Sequence, residues 1–168
     1  MICQFEDFKL EYSIPNLQGL GGSDIINSMI QSNLQDFIDE YEPRFLAMFF
    51  RDSFQSPELD YISEINIYND LPDDEKTDSD MNNLIYYLKF AIARYVAYNY
   101  FRNSITTNTT VAETKNISQN SERAPQLDRL VKIYNDMVEI NKTIWYYIIE
   151  RQYANTSDIF YPINTFNF

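Results

Sequence analysis

The chain has 168 residues, 45% of them hydrophobic and 16% aromatic, with a formal net charge of −12 at neutral pH. A chain of about that size buries roughly 70% of the surface it exposes when unfolded, so one domain with a real core is the simplest organisation, and the aromatic content argues against disorder. With no histidine and a single cysteine, Cys3, the chain cannot build a histidine-dependent catalytic triad, a Cys-His nucleophile pair, an ordinary zinc site or an internal disulfide.

Residues 1–22 read as an extended or irregular N-terminal arm. Their start, MICQFEDFKLEYS, carries acids where a signal peptide needs a basic start and an apolar middle. No run of about 18 apolar residues follows, so a cytoplasmic product without a membrane span is expected. The chain's 3 glycines all fall in GLGG, at Gly19, Gly21 and Gly22. Glycine-poor sequences make few tight hairpins, which points to a mostly helical protein. The glycine cluster is followed by Ser23 and Asp24 and lacks the lysine of a phosphate loop, so it reads as a turn feeding a helix cap.

From Asp24 to Tyr41, residues such as Ile30, Leu34, Phe37, Ile38 and Tyr41 recur at helical spacing between polar ones, which predicts an amphipathic helix. Pro43 then suits the first turn of a second helix, PRFLAMFFRDSF. Glu40 and Glu42 read as a solvated helix end. Residues 64–80, EINIYNDLPDDEKTDSD, read as an acidic loop closing on Asp80 as a helix cap; the glycine and terminal glutamate of a calcium loop are missing.

The stretch MNNLIYYLKFAIARYVAYNYFRN predicts a helix of about 24 residues, roughly 36 Å long, apolar on nearly every side and so surrounded by other helices or by a second subunit. The polar segment Ser104–Asn120 is longer than most connections between packed helices. Its Thr106, Thr107, Thr109, Thr110 and Val111 favour extended backbone, predicting a Thr-rich loop, hairpin or arm. A last long helix is expected from between Ser121 and Pro125 to about Gln152. Residues 153–168 then form a tail with Ile159, Phe160, Tyr161, Ile163, Phe166 and Phe168, which Pro162 keeps from being helical.

The expected fold is therefore all-α: a small helical bundle over residues 23–152, with a Thr-rich loop or hairpin between its last two long helices and extended arms at both ends. Charge is unevenly spread. Residues 1–83 hold 4 basic and 18 acidic side chains, while 84–168 hold 9 and 7. Such a chain does not bind nucleic acid by neutralising phosphates.

The order EYEPRFLAMFF, acidic connector, then NNLIYYLKFAIARYVAYNYFRNSITTNTTVAETKNISQNSERAPQLDRLVKIYNDMVEINKTIWYYIIE resembles the head-tail connector, or head-completion adaptor, proteins of tailed bacteriophages, above all small versions from phages and prophages of Bacteroidetes. The resemblance covers roughly residues 24–153. It departs from the pattern at Phe50 and Arg51 and near Ala112 and Glu113, where glycines are expected.

The resemblance implies a non-enzymatic virion protein at the neck, made in the host cytoplasm and needing no cofactor. It would assemble as a homo-oligomeric ring, usually a dodecamer, under the portal protein, and dock a downstream neck or tail protein. Double-stranded DNA would pass through its lumen without specific binding. On this view the aromatic tail, Ile159, Phe160, Tyr161, Ile163, Phe166 and Phe168, grips the portal. The Thr-rich segment lies at a ring interface or toward the lumen. Asp70, Asp73, Asp74, Glu75, Asp78 and Asp80 belong to an acidic channel or surface from which like charge repels DNA. The alternative is an acidic regulator that presents those carboxylates as surrogate phosphates.

Overall fold

The computed structural model describes residues 1–9, 14, 24–50, 61–111 and 120–151. Within them the chain forms a short 3-10 turn, Phe5–Asp7, and four helices: α1, Asp24–Phe49; α2, Tyr61–Asn69; α3, Ser79–Val111; and α4, Asn120–Glu150. There is no strand among the described residues, so the protein is all-α, as the scarcity of glycine predicts.

The bundle is organised around α3. Helices α1, α2 and α4 and the N-terminal turn all pack on it. Its buried residues Met81, Leu84, Leu88, Ile92 and Val96 step along one stripe at intervals of three and four. Facing it are Leu34, Ile38, Phe45 and Phe49 of α1 and Ile133, Met137, Ile144 and Ile148 of α4. Ala91, Ala93 and Ala97 are also buried; α3 is thus enclosed on several sides, with small side chains allowing close approach.

Most of the aromatic surface of α3 finds cover within the chain. Tyr95 meets Tyr41 edge-on and Phe45 at a tilt, Tyr100 meets Phe37, and Tyr98 meets Tyr134, all with ring centroids between 5.2 and 5.9 Å apart. Aromatic pairs in such geometry contribute about 0.5–1.5 kcal/mol beyond the area they bury.

Several local expectations are corrected. Pro43 does not start a second helix: α1 runs through it as one element to Phe49. Proline deprives the Asp39 carbonyl of a helical donor, but the apolar stripe keeps its register across it, from Ile38 to Phe45, and packing of that stripe holds the helix together.

The acidic connector is shorter than expected, because α2 claims residues 64–69. The Thr-rich segment is not extended at its start. The backbone of Thr106, Thr107, Thr109, Thr110 and Val111 belongs to α3, since adding residues to an existing helix gains one hydrogen bond each and escapes the cost of nucleation. Residues 112–119 lie outside the described residues, as does the tail at 153–168.

The first residues are also more than an arm. Ile2, Cys3, Phe8 and Ile14 are buried in the main core, and Gln4 and Asp7 close the 3-10 turn between them with reciprocal hydrogen bonds.

Candidate docking face and ordered acidic turn

Two features of the surface and one of the interior bear on function. The first is the acidic turn between α2 and α3. Asp78, not Asp80, caps α3: its Oδ1 accepts the backbone N–H groups of Asp80 and Met81, each at 3.0 Å. Its other oxygen pairs with Arg151, just beyond α4. Hydrogen bonding to Arg151 and then to the Met81 amide holds the Asp78 carboxyl below its ordinary range.

Tyr68 of α2 clamps the same residue, donating its hydroxyl to the Asp78 carbonyl and accepting the Asp78 N–H. Asn82 donates to the Lys76 carbonyl at 2.9 Å, and Lys76 pairs with Asp73. Asp70, Asp73, Asp74, Glu75, Asp78 and Asp80 are therefore exposed on a turn of fixed shape. Two of the six, Asp73 and Asp78, already hold cations of the same chain.

The second feature is an aromatic band across the α3–α4 pair. Ring contacts run without a break from Phe90 to Tyr86, from Tyr86 to Tyr87, across to Tyr147 of α4 and on to Tyr146, with centroids 4.7 to 5.9 Å apart. The inner pair, Tyr87 and Tyr147, is half-buried and stacked, which fixes the two helices side by side. The outer rings stand in solvent: Tyr86 is 56% exposed and Tyr146 59%. Ile149, one turn beyond Tyr146, is 52% exposed. Large apolar side chains gathered in one place on a surface are uncommon unless something covers them.

The interior feature is Glu42. It is only 6% exposed, and its two carboxylate oxygens accept the backbone N–H groups of Ile2 and Cys3 at 2.8 and 2.9 Å. The expectation of a solvated helix end holds for Glu40, which is exposed and pairs with Arg44, and fails for Glu42. Burial raises its pKa, and the two N–H donors oppose that shift without cancelling it. Cys3 is buried beside it, and burial reinforced by Asp7 and Glu42 pushes its thiol far above the usual range. Such a thiol is not a nucleophile.

Of the residues singled out in the sequence, Asp70, Asp73, Asp74, Glu75 and Asp78 lie in the turn between α2 and α3, and Asp80 lies in the first turn of α3. The backbone of the Thr106–Val111 group forms the far end of α3, remote along that helix from the acids at its start. The aromatic tail residues Ile159, Phe160, Tyr161, Ile163, Phe166 and Phe168 lie outside the described residues. The band of Tyr86 and Tyr146 was not anticipated as a unit. Its only signal in the sequence is the pair of doublets Tyr86-Tyr87 and Tyr146-Tyr147, each of which spreads two rings about 100° apart around a helix.

Among the described residues no group of carboxylates and cysteine is arranged to hold a metal ion, and no helix is long and apolar enough to cross a membrane. No protein family, curated protein or solved structure matches the chain.

Proposed function

We propose that the chain is a structural assembly protein of a tailed-bacteriophage neck, a head-tail connector that acts without catalysis. Its subunits form a ring, usually of twelve, beneath the portal protein, extend the DNA channel and dock the next neck or tail component. The observation that supports docking of the next component is the aromatic band, in which Tyr86 and Tyr146 face solvent while the other described rings are buried or half-buried. Tyrosine is among the residues most enriched where binding energy concentrates. The placement at the neck rests on the resemblance of residues 24–153 to connector proteins.

The tail from Ile159 to Phe168 is assigned to the portal, and the acidic turn to a surface that DNA slides past. A second reading, an acidic protein that imitates DNA, draws support from the fixed geometry of the exposed carboxylates between Asp70 and Asp80. Disrupting the gene in the phage or prophage that encodes it separates the two. The connector reading predicts DNA-filled heads that accumulate without joined tails. Normal, tailed particles from the disrupted strain would overturn it and favour the DNA-mimic reading.

A further inference from the structure

We propose that the aromatic band and the acidic turn together form a docking site for a basic amphipathic segment of another protein. This inference goes beyond the neck assignment and holds whether or not the chain is a virion protein.

The two features share one end of the molecule. Asp78 caps the start of α3 and pairs with Arg151, directly beyond the end of α4. Tyr86 lies about two turns up α3 from that cap, and Tyr146 and Ile149 fall in the last two turns of α4. The ring contacts through Tyr87 and Tyr147 make one surface of the two helices.

The charge of the turn is one-sided, and the cations beside the band are few: Lys142, one turn before Tyr146, already pairs with Glu139, and Lys89 lies one turn beyond Tyr86. Residues 70–80 contain six carboxylates and one cation, Lys76, and Glu150 adds a seventh acid. Lys76 and Arg151 already serve Asp73 and Asp78. An apolar strip bordered by surplus negative charge fits an occupant with apolar side chains on one face and lysine or arginine beside them. The apolar face would cover Tyr86, Tyr146 and Ile149. The cations would reach Asp74, Asp80 and Glu150 and the faces of the outward tyrosines. An amphipathic helix laid along the α3–α4 pair supplies that pattern at intervals of three and four residues. The charge favours such a partner over a second copy of this acidic chain, because two such ends repel each other.

The test is titration of the full-length protein with a synthetic helix carrying leucine on one face and lysine on the other, followed by calorimetry. Two control helices replace lysine with glutamate or leucine with serine. The expected result is saturable binding of the first helix alone, weakened by added salt. Tyr86→Ala combined with Tyr146→Ala should reduce affinity about tenfold or more. Both side chains are more than half exposed, so thermal melting should show an intact fold. Ile149→Lys, which adds a repelling charge and leaves all rings in place, should also weaken binding.

Equal binding by wild type and both variants would overturn the proposal. So would self-association of the wild type that the tyrosine substitutions abolish, since the occupant would then be a second copy. Tighter binding by Phe160→Ala combined with Phe166→Ala would identify the chain's own tail as the occupant and overturn it as well.

Discussion

Replacing Glu42 with leucine is expected to lower the unfolding free energy by about 2–6 kcal/mol. The carboxylate is the acceptor for two consecutive buried N–H groups, those of Ile2 and Cys3. Without it, one of two losses follows. Either both groups stay buried without a partner, at about 1–3 kcal/mol each, or the first residues detach and expose Ile2 and Phe8, each worth about 2 kcal/mol of burial. Urea denaturation measures the loss, and amide hydrogen exchange at residues 2 and 3 distinguishes the two routes. An unchanged midpoint with unchanged protection would contradict the assignment of Glu42 as the anchor of the N-terminus.

Glu42 also gives stability a pH dependence of definite sign. Burial, opposed by the two amide bonds and the nearby amino terminus and aided by Asp39, raises its pKa above the ordinary 4.5. The folded chain therefore holds that proton more tightly than the unfolded one. This contribution is complete below the unfolded pKa and is lost as pH rises through the raised folded value. The stability of the wild type relative to Glu42→Gln should thus shrink as pH rises from about 4.5 and level off once the carboxyl is ionised. A difference that grows over that window contradicts the account.

Replacing Asn141 with leucine should have the opposite effect, a gain of about 2 kcal/mol and a melting temperature higher by about 4–8 °C. Asn141 is 7% exposed, and neither its amide nitrogen nor its amide oxygen has a hydrogen-bond partner among the described residues. It stands between Met137 and Ile144 on the buried stripe of α4, where leucine would continue the apolar run. A single polar residue in such a seam lowers stability and can fix register. Thermal unfolding of Asn141→Leu measures the gain, and a lower melting temperature would mean that the amide is satisfied by a partner such as an internal water.

These two residues also mark where the sequence was readable and where it was not. The spacing of Leu34, Ile38, Phe45 and Phe49 places Glu42 on the same stripe, four residues after Ile38 and three before Phe45. Reading Pro43 as a helix start broke that stripe in two and left Glu42 at an apparent end, so its burial was hidden. Periodicity identified α3 and α4 because their apolar repeats are long and unbroken. It missed α2, whose nine residues Tyr61–Asn69 sit within an acidic stretch and owe their helix to packing on α3.

Helix ends were read less well, since caps depend on which of several neighbouring acids turns inward. Asp78 and Asp80 are equivalent in composition, and only Tyr68 and Arg151, distant in sequence, select Asp78. The threonines failed for a related reason. Their intrinsic preference for extended backbone is a few tenths of a kcal/mol per residue, too small to stop a helix already propagating through α3. The aromatic band depends on Tyr87 meeting Tyr147 across 60 residues of chain, a pairing that no local pattern encodes.

The proposal that this helical chain belongs to a phage neck is tested most directly by inducing a strain that carries its gene and applying quantitative mass spectrometry to the purified, DNA-filled particles it releases. The copy number of the chain is compared with that of the portal protein. A ratio near one is the predicted result, as a ring matched to the portal requires. Absence of the chain from the particles would contradict the connector reading outright.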